Sequence, residues 1–420
     1  MLKYFVDTTE ALLTMAIMLG LILGFTNTAY PKTRKIPMAI GLALGLIGAG
    51  VMAYLKNATK LIDTSLWNLR IFITAIVALI LFFIFHALRK PMKKAGEIIP
   101  VLFLAVMVIV NIVYALPAVL SYPYNILLTE KSVLSTVFLT KTIGIIFGLI
   151  LAFLTALAVS KGIARLNPKT AMILTSISLI INAIRQFTVC VRVMLTKRMI
   201  ENIKFGENFS VFQIAKFSSN HELLFIFCGV VVAVIIPVIL WIQSLHVNEP
   251  YHNPAEHRKI KKKWIVTVRW ATLIFACLLL SSVNITALKA VANREIELSP
   301  IEDASVVDGN VIVPFEQVED GHLHRFGYTT KDNVTIRFIV IKKPNSSSYG
   351  IGLDACDICG ETGYYEKDGQ VVCNLCDVVM NINTIGFKGG CNPIVIPYTI
   401  SNGQILVPVD GLVEFEKEFK

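Results

Sequence analysis

Charge is scarce along the first two thirds of this 420-residue chain, and acidic residues are missing from its long apolar runs altogether. Only 16% of all residues are charged, 55% are hydrophobic and mean hydropathy is +0.66, beyond the ~45–50% apolar usage of soluble domains. A soluble protein is excluded. The absence of Asp and Glu from the apolar runs argues against a carboxylate-lined path for metal cations. Histidine is almost absent from the same runs. Only His86 falls inside one, so no histidine pair is available to bind haem between spans. No nucleophile–base constellation and no phosphate-binding loop stand out, which leaves the conventional enzyme classes without support.

What is present is length and apolarity. Runs of about 20 apolar residues cross a hydrocarbon core of about 30 Å as helices. Eight such runs occur, at 11–30, 36–55, 69–88, 98–121, 137–160, 171–195, 223–245 and 265–290. The first is too long for a signal-peptide core and lacks a small-residue cleavage pattern, so it counts as a span. Lys and Arg alternate between the connections: four loops carry 15 and the remaining outer segments 8. Basic loops stay in the cytoplasm, so both termini lie outside. The chain divides into a transmembrane domain, 1–291, and an extracytoplasmic domain, 292–420. The net charge of +10 splits into +19 and −9 between these parts. The basic excess is therefore a topology signal rather than a nucleic-acid footprint, and the acidic outer domain suits a cation or a basic partner.

The outer domain reads as β-rich. "GNVIVPFEQV", "NVTIRFIVIKK" and "PIVIPYTISNGQILVPV" are dense in β-branched and aromatic residues and are separated by Gly- and Asn-containing turns. The predicted class is a polytopic α-helical membrane protein of about eight spans with a C-terminal β-rich metal-binding domain.

Of eight cysteines, Cys190, Cys228 and Cys277 lie within spans and read as small buried hydrophobes. The other five, Cys356, Cys359, Cys373, Cys376 and Cys391, crowd into the outer domain. "CDIC" and "CNLC" are two Cys-x-x-Cys pairs, a spacing that aims two sulfurs of each turn at one tetrahedral site. Gly360, directly after Cys359, can adopt the positive φ that turns backbone amides toward sulfur. The alternative is a disulfide framework, which an oxidising compartment permits, although such pairs close rings too short to stabilise much. Neither pair is followed by His, as c-type haem attachment requires. The Cys-x-x-Cys-x-x-Cys run of bacterial ferredoxins is missing too. A four-sulfur site accepts zinc or a single iron equally. "GGCNP" adds Cys391, and "DGHLHRFGY" adds His322 and His324, which share a face if that segment is a strand.

Intramembrane charge marks function by default. Lys141, Arg185 and Gln186 fall toward the outer leaflet and form a candidate cofactor-binding group for a quinone, a lipid headgroup or a partner helix.

"DGHLHRFGY", "LDACDICGETGYY", "VVCNLC" and "NTIGFKGGCNP", together with the polytopic half, resemble the FtrD-like membrane iron-sulfur family of bacteria, associated with ferrous-iron uptake. The resemblance implies an iron or iron-sulfur centre, with zinc as the alternative, on the outer face of the bacterial cytoplasmic (inner) membrane. It further implies an iron permease and a periplasmic or surface iron-binding protein as partners. The Arg-Glu-x-x-Glu signature of iron permeases is missing from these spans. Two functions follow: an electron-transfer component supporting iron uptake, or a multi-span transporter whose outer domain is a structural zinc or substrate-capture module.

Overall fold

The computed structural model describes residues 1–59, 62–129, 133, 135–201, 203, 210–292, 298–344, 346–357, 359–367, 369–375, 378–387 and 392–419. The chain divides into two compact units, Met1–Asn293 and Arg294–Lys420.

Unit 1 is helical. Among the described residues eight helices are long and apolar enough to cross a membrane: α1 (Leu2–Ala29), α2 (Lys35–Ala58), α3 (Thr64–Ala87), α4 (Lys93–Thr129), α5 (Thr136–Ile163), α6 (Pro168–Thr196), α8 (Glu222–Leu245) and α9 (Pro254–Val283), the last continued by a π-helical turn (Asn284–Leu288) and α10 (Lys289–Ala292). A ninth, short helix, α7 (Val211–Asn220), carries a Ser210–Gln213 capping box. In hydrocarbon a helix satisfies every backbone polar group internally, which is why runs of this composition take that form. Their ends are set by capping residues. Asp63 accepts from the amides of Ser65 and Leu66, and Asn167 and Asn253 cap helices whose first residue is proline.

Because lipid is as apolar as leucine, helices in a membrane associate through close packing at small residues. Gly20 and Gly24 of α1 supply it. A β-carbon at either would sit 2.7 Å from the β-carbon of Val159 or Ile163 on α5. Gly41 and Gly45 of α2 meet Ala105 and Ile112 of α4 in the same way.

One expectation about α1 needs correction. Helix α1 starts at Leu2, nine residues before the apolar run, so Asp7 and Glu10 are helical residues of the first span. The end of α9 explains why that is tolerated. Its π turn, a local widening often found at functional positions, directs the buried Asn284 amide to Thr9 Oγ1 at 2.6 Å. Lys289 follows and pairs with Glu10 at 2.7 Å.

Unit 2 carries three antiparallel sheets. Four strands, β1 (Ser305–Val307), β2 (Asn310–Pro314), β8 (Thr399–Ser401) and β9 (Gln404–Pro408), pair in the order β1-β2-β9-β8. Short helices α11 (Phe315–Val318) and α12 (Val409–Val413) follow β2 and β9. Three more strands, β3 (His324–Thr329), β4 (Thr335–Lys342) and β5 (Tyr349–Leu353), form a meander, and β6 (Tyr364–Lys367) with β7 (Gln370–Cys373) makes a hairpin. The expected strand at 393–398 is extended but lies in no sheet. Pro393 and Pro397 remove two of its donors, and among the described residues only Ile394 makes backbone bonds there, with Leu353 and Ala355. The main core gathers Val311, Val313, Phe326, Phe338, Ile351 and Val407. A separate cluster holds Ile339, Ile341, Tyr364, Val371 and two of the cysteines.

Candidate metal centre

Cys356 follows β5 in a tight turn. Its amide donates to the Gly360 carbonyl at 3.2 Å, and the Gly360 amide donates back at 2.9 Å. Closing so small a loop requires Gly360 at φ 66°, in the left-handed region that glycine enters without strain. Inside the loop the Cys359 amide donates to Cys356 Sγ at 3.1 Å. Cys373 ends β7 and is buried beside Cys356, whereas Cys359 is half-buried. The two turns are tied together: the Asn374 amide donates to Gly363 at 3.0 Å and its side chain to Thr362 at 3.2 Å.

The three sulfurs lie within 4.8 Å of one another. Metal–sulfur bonds of about 2.3 Å in a tetrahedron place sulfurs about 3.8 Å apart, so this donor set fits a thiolate-bound metal. Cys376 and Cys391, and with them Gly389 and Gly390, lie outside the described residues.

Two features of the site were not foreseen. The first is Tyr364, 1% exposed, which stands directly opposite Cys373 in the β6–β7 register and so shares its face. Burial, then the neighbouring charges of Cys356 and Cys373 and a hydrogen-bonding interaction with Cys356, push its ionisation far above the usual phenol range. The sequence did hold a signal: the dipeptide Asp-Gly at 368–369 is a hairpin signal, and pairing of 367 with 370 makes 364 the partner of 373.

The second is Asp354, fully buried two residues before Cys356. It accepts from Arg325 Nε at 2.8 Å, Arg337 Nε at 3.2 Å and the Tyr364 amide at 2.9 Å. The Arg325 guanidinium also reaches the Tyr364 carbonyl, and Ser299 through its carbonyl and hydroxyl, both at 2.6 Å. One carboxylate thus fixes β3, β4 and β6 around the thiol turn.

The histidines are placed apart from this cluster. His324 opens β3, but His322 precedes the strand, so the pair does not lie on one strand face. His322 Nδ1 meets Glu366 at 2.9 Å. His324 is clamped between Glu302, 2.9 Å from Nδ1, and Asp320, 2.8 Å from Nε2. Partial burial opposes charge on His324, but the hydrogen bonds of Asp320 and Glu302 outweigh it and raise its ionisation above the ordinary histidine value. The bond from Glu366 raises that of exposed His322.

With the thiol turns, the tyrosine and the aspartate placed, their sequence context can be compared with known proteins. Residues 318–419 match the family model "Membrane iron-sulfur containing protein FtrD-like". The FtrD-like match spans the thiol cluster, both histidines and the Arg325–Asp354 pair. No curated protein and no solved structure matches the chain.

In unit 1, Arg185 is buried on α6. It pairs with Glu222, the first residue of α8, and its Nη2 lies 3.3 Å from Asn182 Oδ1. Gln186 is buried beside it, but neither Gln186 nor Lys141, half-buried on α5, lines the cavity that Arg185 borders. The expected trio is not one group. Arg185 is joined instead by Glu222, Lys56 and Glu10.

Proposed function

We propose that this multi-pass membrane protein carries a redox-active thiolate-bound iron or iron-sulfur centre in unit 2 and transfers electrons to or from iron, or an iron-carrying protein, during iron uptake. The observation that carries the proposal is the donor set: sulfurs of Cys356, Cys359 and Cys373 within 4.8 Å of one another, with the Cys359 N–H given to Cys356 and Tyr364 directly opposite Cys373. Cys376, three residues after Cys373 in sequence, is the proposed fourth ligand. When bound, iron in such a set supplies one-electron chemistry whose potential follows hydrogen bonding to sulfur and burial.

The chain's own residues do the rest. Cys359 N–H and Tyr364 O–H place positive partial charge against the Cys356 sulfur, which favours the more negative, reduced state of a thiolate site. Ile339, Ile341 and Val371 pack around the buried thiols and keep water from that side. Half-buried Cys359 is the edge at which a partner can approach. The acidic composition of 292–420 favours a cation-bearing or basic partner, and the distribution of basic loops supports a position for unit 2 outside the cytoplasmic membrane. An iron permease is the proposed membrane neighbour.

Metal analysis with visible and electron paramagnetic resonance spectra on anaerobically purified protein tests this. Iron that changes oxidation state reversibly is expected. Full occupancy by redox-silent zinc would overturn the proposal and leave unit 2 as a structural module. For the sidedness, Ser347→Cys should react with an impermeant thiol reagent from outside above the wild-type background, and Lys262→Cys should not.

A further inference from the structure

Unit 1 contains a cavity of about 320 Å³ bordered by α1, α2, α3, α4, α6 and α8. Within a span a cavity edged by charge is expensive to leave without purpose. The polar groups around it are unevenly matched. Each carboxylate already has a cation: Glu222 holds Arg185 and Glu10 holds Lys289. The donors are in surplus. Lys56, half-buried at the end of α2, has no carboxylate partner among the described residues, and neither the Asn68 amide nor the Tyr114 hydroxyl has a hydrogen-bond partner among them. The cavity therefore calls for a ligand that brings acceptors and no positive charge.

Its walls narrow the class further. Ala11 on α1 and Ala115 and Ala118 on α4 leave room between the helices, beside Ile226 and the Tyr114 ring. From Ala118 to Asn111 along α4 the slot runs about 10 Å, long enough to take a ring headgroup whole. A phosphodiester drawn in would lose its hydration against one unpaired ammonium, and burying a charge so poorly matched is costly. A flat neutral ring with two carbonyl oxygens loses little water and offers the acceptors that the ammonium, amide and phenol lack.

We infer that this cavity binds the headgroup of a membrane quinone, with Lys56, Asn68 and Tyr114 as donors to its carbonyl oxygens and the Arg185–Glu222 pair at its edge. The inference stands on unit 1 alone and does not depend on which metal unit 2 holds.

Full-length protein in detergent is titrated with decylubiquinone and with menadione, a benzoquinone and a naphthoquinone probe, by equilibrium dialysis. Saturable binding of at least one, near one per chain, is expected. Lys56→Met and Ala118→Phe, the second filling the slot without touching a charge, should each weaken it at least tenfold while helical circular dichroism stays unchanged. Absence of saturable binding by both probes would overturn the inference. So would binding that neither variant weakens, or displacement of the bound probe by short-chain phosphatidylglycerol with the same sensitivity to Lys56→Met, which would make the cavity a lipid-headgroup site. Redox-silent zinc in unit 2 alongside quinone binding would overturn the electron-transfer proposal and leave this one standing.

Discussion

Replacing Tyr364 by Phe removes one oxygen and leaves the ring in its place in the satellite core. The residue is 1% exposed, so no water is at hand to take over the bond to Cys356. A hydrogen bond to a charged acceptor contributes about 1.5–3 kcal/mol. Both oxidation states of a thiolate centre keep some of that, and the reduced state keeps more because its sulfurs carry more negative charge. If about half is differential, the loss is about 0.8–1.5 kcal/mol, which for one electron corresponds to about 30–60 mV. Tyr364→Phe should therefore lower the reduction potential by that amount. The sulfur-to-metal absorption should shift to longer wavelength, and metal content should stay at the wild-type level. Spectroelectrochemical titration of the purified full-length protein measures all three. An unchanged potential at full metal content would refute the assignment of a tuning role to the hydroxyl.

Three further outcomes are expected. Asp354→Asn leaves Arg325 buried without its charge partner and should destabilise unit 2 by about 3–5 kcal/mol, seen as a lower midpoint in denaturant unfolding followed by near-ultraviolet circular dichroism. Gly20→Val forces side-chain atoms into Val159 and the Ala156 carbonyl, an overpacking that costs about 1–3 kcal/mol or more; its thermal midpoint in detergent should fall, while Gly50→Ala, which meets nothing within 4 Å, should leave it near wild type. Because the ionisation of His324 is raised on folding, its contribution is fully present below about pH 6.5 and is lost as pH rises through the higher folded value; a His324 Cε1 proton titrating at or below 6.5 by nuclear magnetic resonance would contradict the clamp.

The spans were legible because twenty successive apolar residues have one solution in lipid. The start of α1 was not. Asp7 and Glu10 read as charges outside the membrane until Lys289, 279 residues away, is seen to neutralise one of them. Strand β5 was hidden for a similar reason. "YGIGL" carries two glycines that lower strand propensity, and both are required by neighbours distant in sequence: a β-carbon at Gly350 would lie 2.9 Å from Ile385, and one at Gly352 would lie 2.6 Å from Pro393. In the site, Cys-x-x-Cys spacing exposed the candidate ligands Cys356, Cys359 and Cys373 because the turn that aims them is local. Asp354 carried no signal of its own in the sequence, since its two arginines come from different strands. The histidines misled because two imidazoles in sequence say nothing of the carboxylates that occupy them.

The division of unit 2 into two apolar clusters bears on how the protein matures. Among the described residues the larger cluster contains no cysteine, and Cys356, Cys359 and Cys373 sit in or against the smaller one, with Asp354 and its arginines fastening the turn from behind. Small zinc folds lack such a division and are unfolded until metal arrives. Here the sheets can form first, and the empty chain can wait on its side of the membrane as a finished receptacle. For the proposed centre, loading and folding would then be separate events, and a metal lost to an oxidant or a chelator would be refilled in place without the chain being made again.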